Sequence, residues 1–194
     1  MALLTALFAT VLLMALGLAV ALLGSAETTL ARHDRDARSL AYASRAAVTV
    51  ATMDLRAMPS WEDLAAPGVL PEVSASPGPF VDATLTPAAP WGGPALDLRA
   101  LTVRLQAEAD AAAPGGGPAP AWRLFEYGPL ARLVPDAGFR NPSYLVVWVA
   151  DEDGLLVTRA AAYGPDEARS IVEVTMARPA GPDPARILTT RPGF

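Results

Sequence analysis

The chain has 194 residues, a formal net charge of −5 and no cysteine, and all 15 of its basic residues are arginine. About 170 of the 194 residues lie outside an apolar N-terminal block, which suits one domain, or one domain plus a long helix. The lack of cysteine excludes a disulfide framework and a thiolate metal site, and scattered arginines in an acidic chain argue against nucleic-acid binding, which requires a basic stripe.

From Ala2 to Leu23 the sequence is apolar, relieved only by Thr5, Thr10 and Gly17, and the first ionisable side chain is Glu27. A helix of about 20 such residues crosses a bilayer core roughly 30 Å thick. A cleaved secretory signal needs a basic flank and a shorter apolar stretch, although Gly24-Ser25-Ala26 offers a small-residue cleavage site as an alternative. Arg32, Arg35 and Arg38 all follow the block, so a plain anchor would leave the C-terminal part in the cytoplasm. Removal of a short basic leader before Met1 reverses that topology, with Met1 as the mature first residue.

The helix is expected to continue through residue 57. Leu30, Ala37, Leu40, Ala41, Ala47, Val48, Ala51, Leu55 and Met58 recur at steps of three and four and define one face, with the arginines mostly elsewhere. Asp34 and Arg38 form an i,i+4 pair on a solvated surface. Pro59 ends this helix, and Ser60 caps a short turn over Trp61 to Ala65, with Asp63 three residues on. Residues 67–97 are rich in Pro and Gly, with one strand expected at Phe80 to Leu85. Asp97 caps a second helix, Leu98 to Ala112, whose Leu98, Leu101, Leu105 and Ala109 share a face, and Pro114 to Pro120 is a loop.

The period then changes to two. Strands are expected at Trp122 to Tyr127, Tyr144 to Val149 (central), Leu155 to Tyr163 and Ala168 to Arg178. The turns are Asp151 to Gly154, with Gly154 at positive φ, and Gly164 to Glu167. These make an antiparallel meander over 122–178, and the tail from Pro179 folds along the sheet edge. The predicted class is α+β: a long N-terminal helix and a C-terminal antiparallel β-sheet head. Residues 1–25 are the transmembrane half of the helix, 26–58 its amphipathic half, and 59–194 the head, loop-rich over 59–121.

Catalytic and cofactor constellations are not found. His33 stands beside Asp34 and Asp36, but residues one or two apart on a helix do not face each other, which favours a solvated histidine over a metal ligand. A Ser-His-Asp hydrolase would place His33 on the membrane-proximal helix, an unsuitable site. Asp151 and Asp153 offer oxygen ligands for calcium, but without the ligand spacing of a dedicated loop a β-turn is favoured. Gly115 to Gly117 lack the Lys and Ser/Thr of a phosphate loop. Trp61, Trp91, Trp122 and Trp148 read as packing anchors rather than ligand-stacking residues.

The stretch Leu22 to Ala43 (LLGSAETTLARHDRDARSLAYA) is similar to the N-terminal region of minor pilins of the PilX type, through Glu27, Thr28, Thr29, Arg35, Asp36, Ala41 and Ala43. Ser44, Arg45 and Ala46 stand where that family has a further Glu. A long helix, first apolar and then amphipathic, before an antiparallel sheet also resembles type IV pilins, which are processed by removal of a short leader. The resemblance implies that Met1, Leu3, Leu4, Thr5, Leu7, Phe8, Val11, Leu12, Leu16 and Val20 pack in the membrane and then in a filament, with Met1 N-methylated. Major pilins carry a glutamate at the fifth mature residue that neutralises a neighbour's amine in an apolar core; here Thr5 occupies that position. This resembles the minor pseudopilin at the tip of type II secretion filaments, a subunit with no neighbour above it.

The implied function is structural: a minor pilin that primes assembly or presents a partner at the tip. It would reside in the bacterial inner membrane before assembly and in an extracellular filament or tip afterwards. Its implied partners are other pilins, the membrane and a tip adhesin, with no cofactor. The alternatives are a major filament subunit and a single-pass anchored envelope binding protein without a filament role; an enzyme is not expected.

Overall fold

A computed structural model describes residues 1–58, 61, 81–113, 119–134, 142–152, 154–177 and 186–193. The chain divides into two compact units, Met1–Arg38 and Ser39–Phe194. Helix α1, Ala2–Ala57, supplies the whole of the first unit and continues into the second. The expected stop at Pro59, the Ser60 cap and all of the following turn except Trp61 lie outside the described residues.

The second unit contains α2 (Leu98–Ala112) and five strands: β1 (Arg123–Pro129), β2 (Tyr144–Glu152), β3 (Leu155–Tyr163), β4 (Arg169–Ala177) and β5 (Arg186–Gly193). They pair in the order β1-β2-β3-β4-β5, every neighbour antiparallel. The class is α+β, a long N-terminal helix with an antiparallel sheet. The meander reaches beyond residue 178, because the Pro-rich tail pairs with β4 as a fifth strand. Pro192, which has no N–H to donate, sits on this edge strand, where a missing donor is tolerated.

Strand alternation sorts the core into two layers. On one face Leu145, Val147 and Val149 of β2, Leu156, Ala160 and Ala162 of β3 and Val172, Val174 and Met176 of β4 pack with α1 residues Leu40, Ala43, Ala47, Val48, Ala51 and Leu55. Three alanines four apart on α1, with Ala160 and Ala162 on β3, remove side-chain bulk from this layer and let helix and sheet backbones approach closely. The Ser44 and Ser170 hydroxyls, 3.2 Å apart, join α1 to β4 within it. Trp61 closes the layer: it is buried, and its indole N–H donates to the Leu55 carbonyl at 2.8 Å, satisfying an acceptor at the helix end. The buried face of α1 starts at Leu40; Leu30 and Ala37, expected on it, are exposed.

On the opposite face Tyr144, Val146 and Trp148 of β2 pack with Leu98 and Leu105 of α2. The Trp148 indole donates to the Thr102 hydroxyl at 2.9 Å, and that hydroxyl donates to the Leu98 carbonyl at 2.8 Å. Trp61 and Trp148 are buried packing residues, and Trp91 and Trp122 pack half-buried at the margin of the α2 layer. β2 is thus covered on both faces, which is why YLVVWV reads as a continuous apolar run. The strand expected at Phe80 to Leu85 is reduced, among the described residues, to a single parallel bridge between Val81 and Tyr127. Asp82 anchors this segment, pairing with Arg132 at 3.1 Å and accepting from the Tyr144 hydroxyl at 3.3 Å.

Asp97 caps α2, its carboxylate accepting the Ala100 N–H at 2.9 Å. Asp97→Ala is expected to lower stability by about 1 kcal/mol, because an orphan N–H loses its acceptor. The reading is a lower urea midpoint with unchanged slope. In the β2–β3 turn Gly154 has φ +81°, as expected, and its N–H donates to the Asp151 carboxylate at 3.0 Å. In the β3–β4 turn the positive φ values fall instead on Asp166 and Glu167, the two central residues of a turn closed by Ala168 N–H to Pro165 O at 3.0 Å. Two consecutive positive φ values are what a type I′ hairpin turn demands. Gly164 lies close to α1: a Cβ there would stand 3.1 Å from a Leu40 methyl.

Candidate functional site

Residues 1–38 are exposed throughout. Met1, Leu3, Leu4, Leu7, Phe8, Val11, Leu12, Leu16 and Val20, together with Thr5, all lie on this exposed helix. The large apolar side chains among them leave at least half of their surface uncovered, and they occur all round the helix rather than on one stripe. An apolar surface of this extent needs lipid or other helices on every side. By length and composition α1 is long and apolar enough to cross a membrane.

A spanning helix must also satisfy its polar groups internally. The Thr5 hydroxyl donates to the Ala2 carbonyl and that of Thr10 to Leu7, each at 2.8 Å. Ser25 donates to Leu22 at 2.8 Å, and Thr28 and Thr29 donate to carbonyls of the preceding turn. No ionisable side chain occurs from Ala2 to Ala26, so the helix can enter hydrocarbon without an unpaired polar side chain.

Charge begins at Glu27, where the exposed helix becomes polar. Asp34 and Arg38 pair at 2.8 Å with both side chains more than half exposed. A pair of that kind contributes only about 0.3–0.5 kcal/mol. His33 is exposed, and the described residues contain no group of three His, Cys, Asp or Glu arranged to hold a metal. Asp151 is occupied in capping the β2–β3 turn, and Asp153 lies outside the described residues.

Sequence reasoning missed a buried carboxyl, Glu126 of β1, beside the half-buried Asp54 of α1. A β-bulge between Leu124 and Glu126 shifts the β1–β2 register. Leu124 and Tyr127 pack in the α2 layer, whereas Phe125 packs against the α1 layer and Glu126 is opposite Val147, a residue of that layer. Glu126 is only 3 % exposed. Burial, then a hydrogen bond to the Asp54 carboxylate, then repulsion from its charge push the Glu126 carboxyl up to about 8. Glu126 therefore holds its proton at neutral pH, which avoids placing a second negative charge beside Asp54. The one available signal was a glutamate inside the aromatic and apolar run WRLFEY, which simple alternation does not assign to a face.

The chain matches no protein-family model, no curated protein and no solved structure.

Proposed function

We propose that this protein is a structural subunit of a type IV pilus-like filament, of the minor pilin kind, held in the membrane by α1 before assembly and packed through the same helix afterwards. One observation carries the reading: α1 changes its surroundings partway along. Its first unit is exposed and, through Ala26, free of ionisable side chains, whereas from Leu40 it packs one face against the sheet. A helix serving only as a core element would be covered along its length. A subunit retained by lipid and then assembled through helix contacts needs an apolar surface that has no partner within its own chain. The head would be the exposed part, serving to prime assembly or to present a partner at the tip.

The cysteine-free chain suits a direct test. Single cysteines at Leu7, Val11 and Val20 are expected to form disulfide-linked species with neighbouring subunits in sheared filaments, at stoichiometry well below the main subunit. Mass spectrometry of the native chain is expected to find an N-methylated residue opening the apolar block. A chain that stays wholly in the membrane fraction, unlinked and unmethylated, would instead be a single-pass anchored envelope protein, and the filament reading would fall.

A further inference from the structure

Among α2, the segment Trp91–Leu96 and the β3–β4 turn lies a cavity of about 850 Å³, within the second unit. Trp91, Leu96 and Leu101 form an apolar wall. Trp91 is held there by its own backbone: Gly92 has φ +80°, and a Cβ at Gly93 would stand 2.6 Å from the indole nitrogen. The Gly-Gly pair thus lets the chain fold beneath the ring, where a side chain would displace it.

Tyr163, Arg104 and Arg169 also line this cavity and the narrower cleft beside it, which Arg159 and Glu108 line as well. Tyr163 and Arg169 are cross-strand partners, and Arg104 comes from α2. Burial raises the Tyr163 hydroxyl, while Arg169, Arg159 and Arg104 oppose that rise and Glu108 alone adds to it. Three guanidinium groups therefore act on one phenol, against one carboxylate that lies 3.8 Å from Arg159. The side chains of Arg104, Arg169 and Tyr163 have no hydrogen bond or ion pair among the described residues. Arg104 and Arg169 are exposed and Tyr163 is half-buried, so these donors face solvent in the cavity mouth and are open to a ligand acceptor.

We propose that this cavity binds an organic carboxylate with an aromatic or aliphatic body, the carboxylate held by Arg104, Arg169 and the Tyr163 hydroxyl and the body lying against Trp91, Leu96 and Leu101. Guanidinium groups match a carboxylate in shape and charge. The volume is of the size that encloses a small organic molecule and far exceeds a bare inorganic anion. Asp166 and Glu167 line the cavity too, and their negative charge disfavours a polyanion. The site concerns the head alone and does not rest on the filament reading.

The test titrates N-acetylphenylalanine into the full chain in detergent micelles and follows the Trp91 indole N–H resonance, identified with Trp91→Phe. A saturable shift is expected, and N-acetylphenylalaninamide is expected to give none. Arg104→Gln and Arg169→Gln should each weaken binding about tenfold, the effect of removing a charge-assisted hydrogen bond. Arg191→Gln, on β5, should leave it unchanged, and circular dichroism should show all three variants folded. Absence of saturation, an equal response to the amide, or unaltered affinity in both cavity variants overturns the proposal. Inorganic phosphate binding as tightly as N-acetylphenylalanine overturns the assignment to a carboxylate with an apolar body.

Discussion

Replacing Leu12 and Leu16 together by arginine is expected to release the chain from membranes. Both residues lie near the middle of the apolar block, both are exposed on α1, and at i,i+4 they share one helix face. Each arginine at the centre of a spanning helix costs roughly 2.5–3.5 kcal/mol on insertion scales, so the pair costs about 5–7 kcal/mol. Arginine is a good helix former, so the effect acts on insertion rather than on helicity. After an alkaline carbonate wash the parent chain should stay in the pellet and the double variant in the supernatant. Leu12→Ala with Leu16→Ala, which adds no charge, should still sediment. Retention of the double arginine variant would mean that the apolar block does not enter lipid.

The second large effect concerns pH. The Glu126 carboxyl, with an ordinary value of 4.5, is pushed up to about 8 in the folded chain. Between these values the unfolded chain has lost the proton and the folded chain keeps it. Stability therefore falls as pH rises through this window, because ionisation favours the unfolded state. The contribution is fully present below about 4.5 and gone above about 8. Its size is a few kcal/mol, since each unit of displacement is worth about 1.4 kcal/mol. Tyr127, Tyr144 and Tyr163 are all raised from 10.0 and do not titrate in this window. Denaturant midpoints measured from pH 5 to pH 8.5 should fall for the parent chain and stay nearly level for Glu126→Gln, whose amide can donate to Asp54 without ionising. A parent midpoint that rises or stays flat across this range would contradict a protonated Glu126.

Much of the head was legible because local chemistry and the final environment agree there. Asp97 has an acceptor where α2 needs one, and Gly154 stands where the β2–β3 turn needs positive φ. The run YLVVWV is apolar at every step because both faces of β2 are covered. The misses arose where the environment departs from the local pattern. Leu30 and Ala37 have the spacing of a packed face, but the packed unit begins only at Ser39. Val81 lies in a predicted strand yet makes a single bridge. Glu126 escaped notice because a bulge, invisible to an alternation count, places it among residues that simple pairing would not assign. The cavity arginines, Arg104 and Arg169, are 65 positions apart, and neither belongs to any motif.

What the residues alone determine is whatever depends on near neighbours along the chain. That covers an uncharged apolar helix long enough to span a bilayer, a capped second helix, and strands separated by turns at the right spacing. Hydrogen bonding, side-chain period and transfer free energy act over a few residues, so they can be read in one dimension. What only the tertiary structure decides is which groups lose water together. Asp54 meets Glu126 across 72 positions, and Tyr163 gathers arginines from α2, β3 and β4. Desolvation and charge coupling depend on distance in space, which the order of residues along the chain does not encode locally.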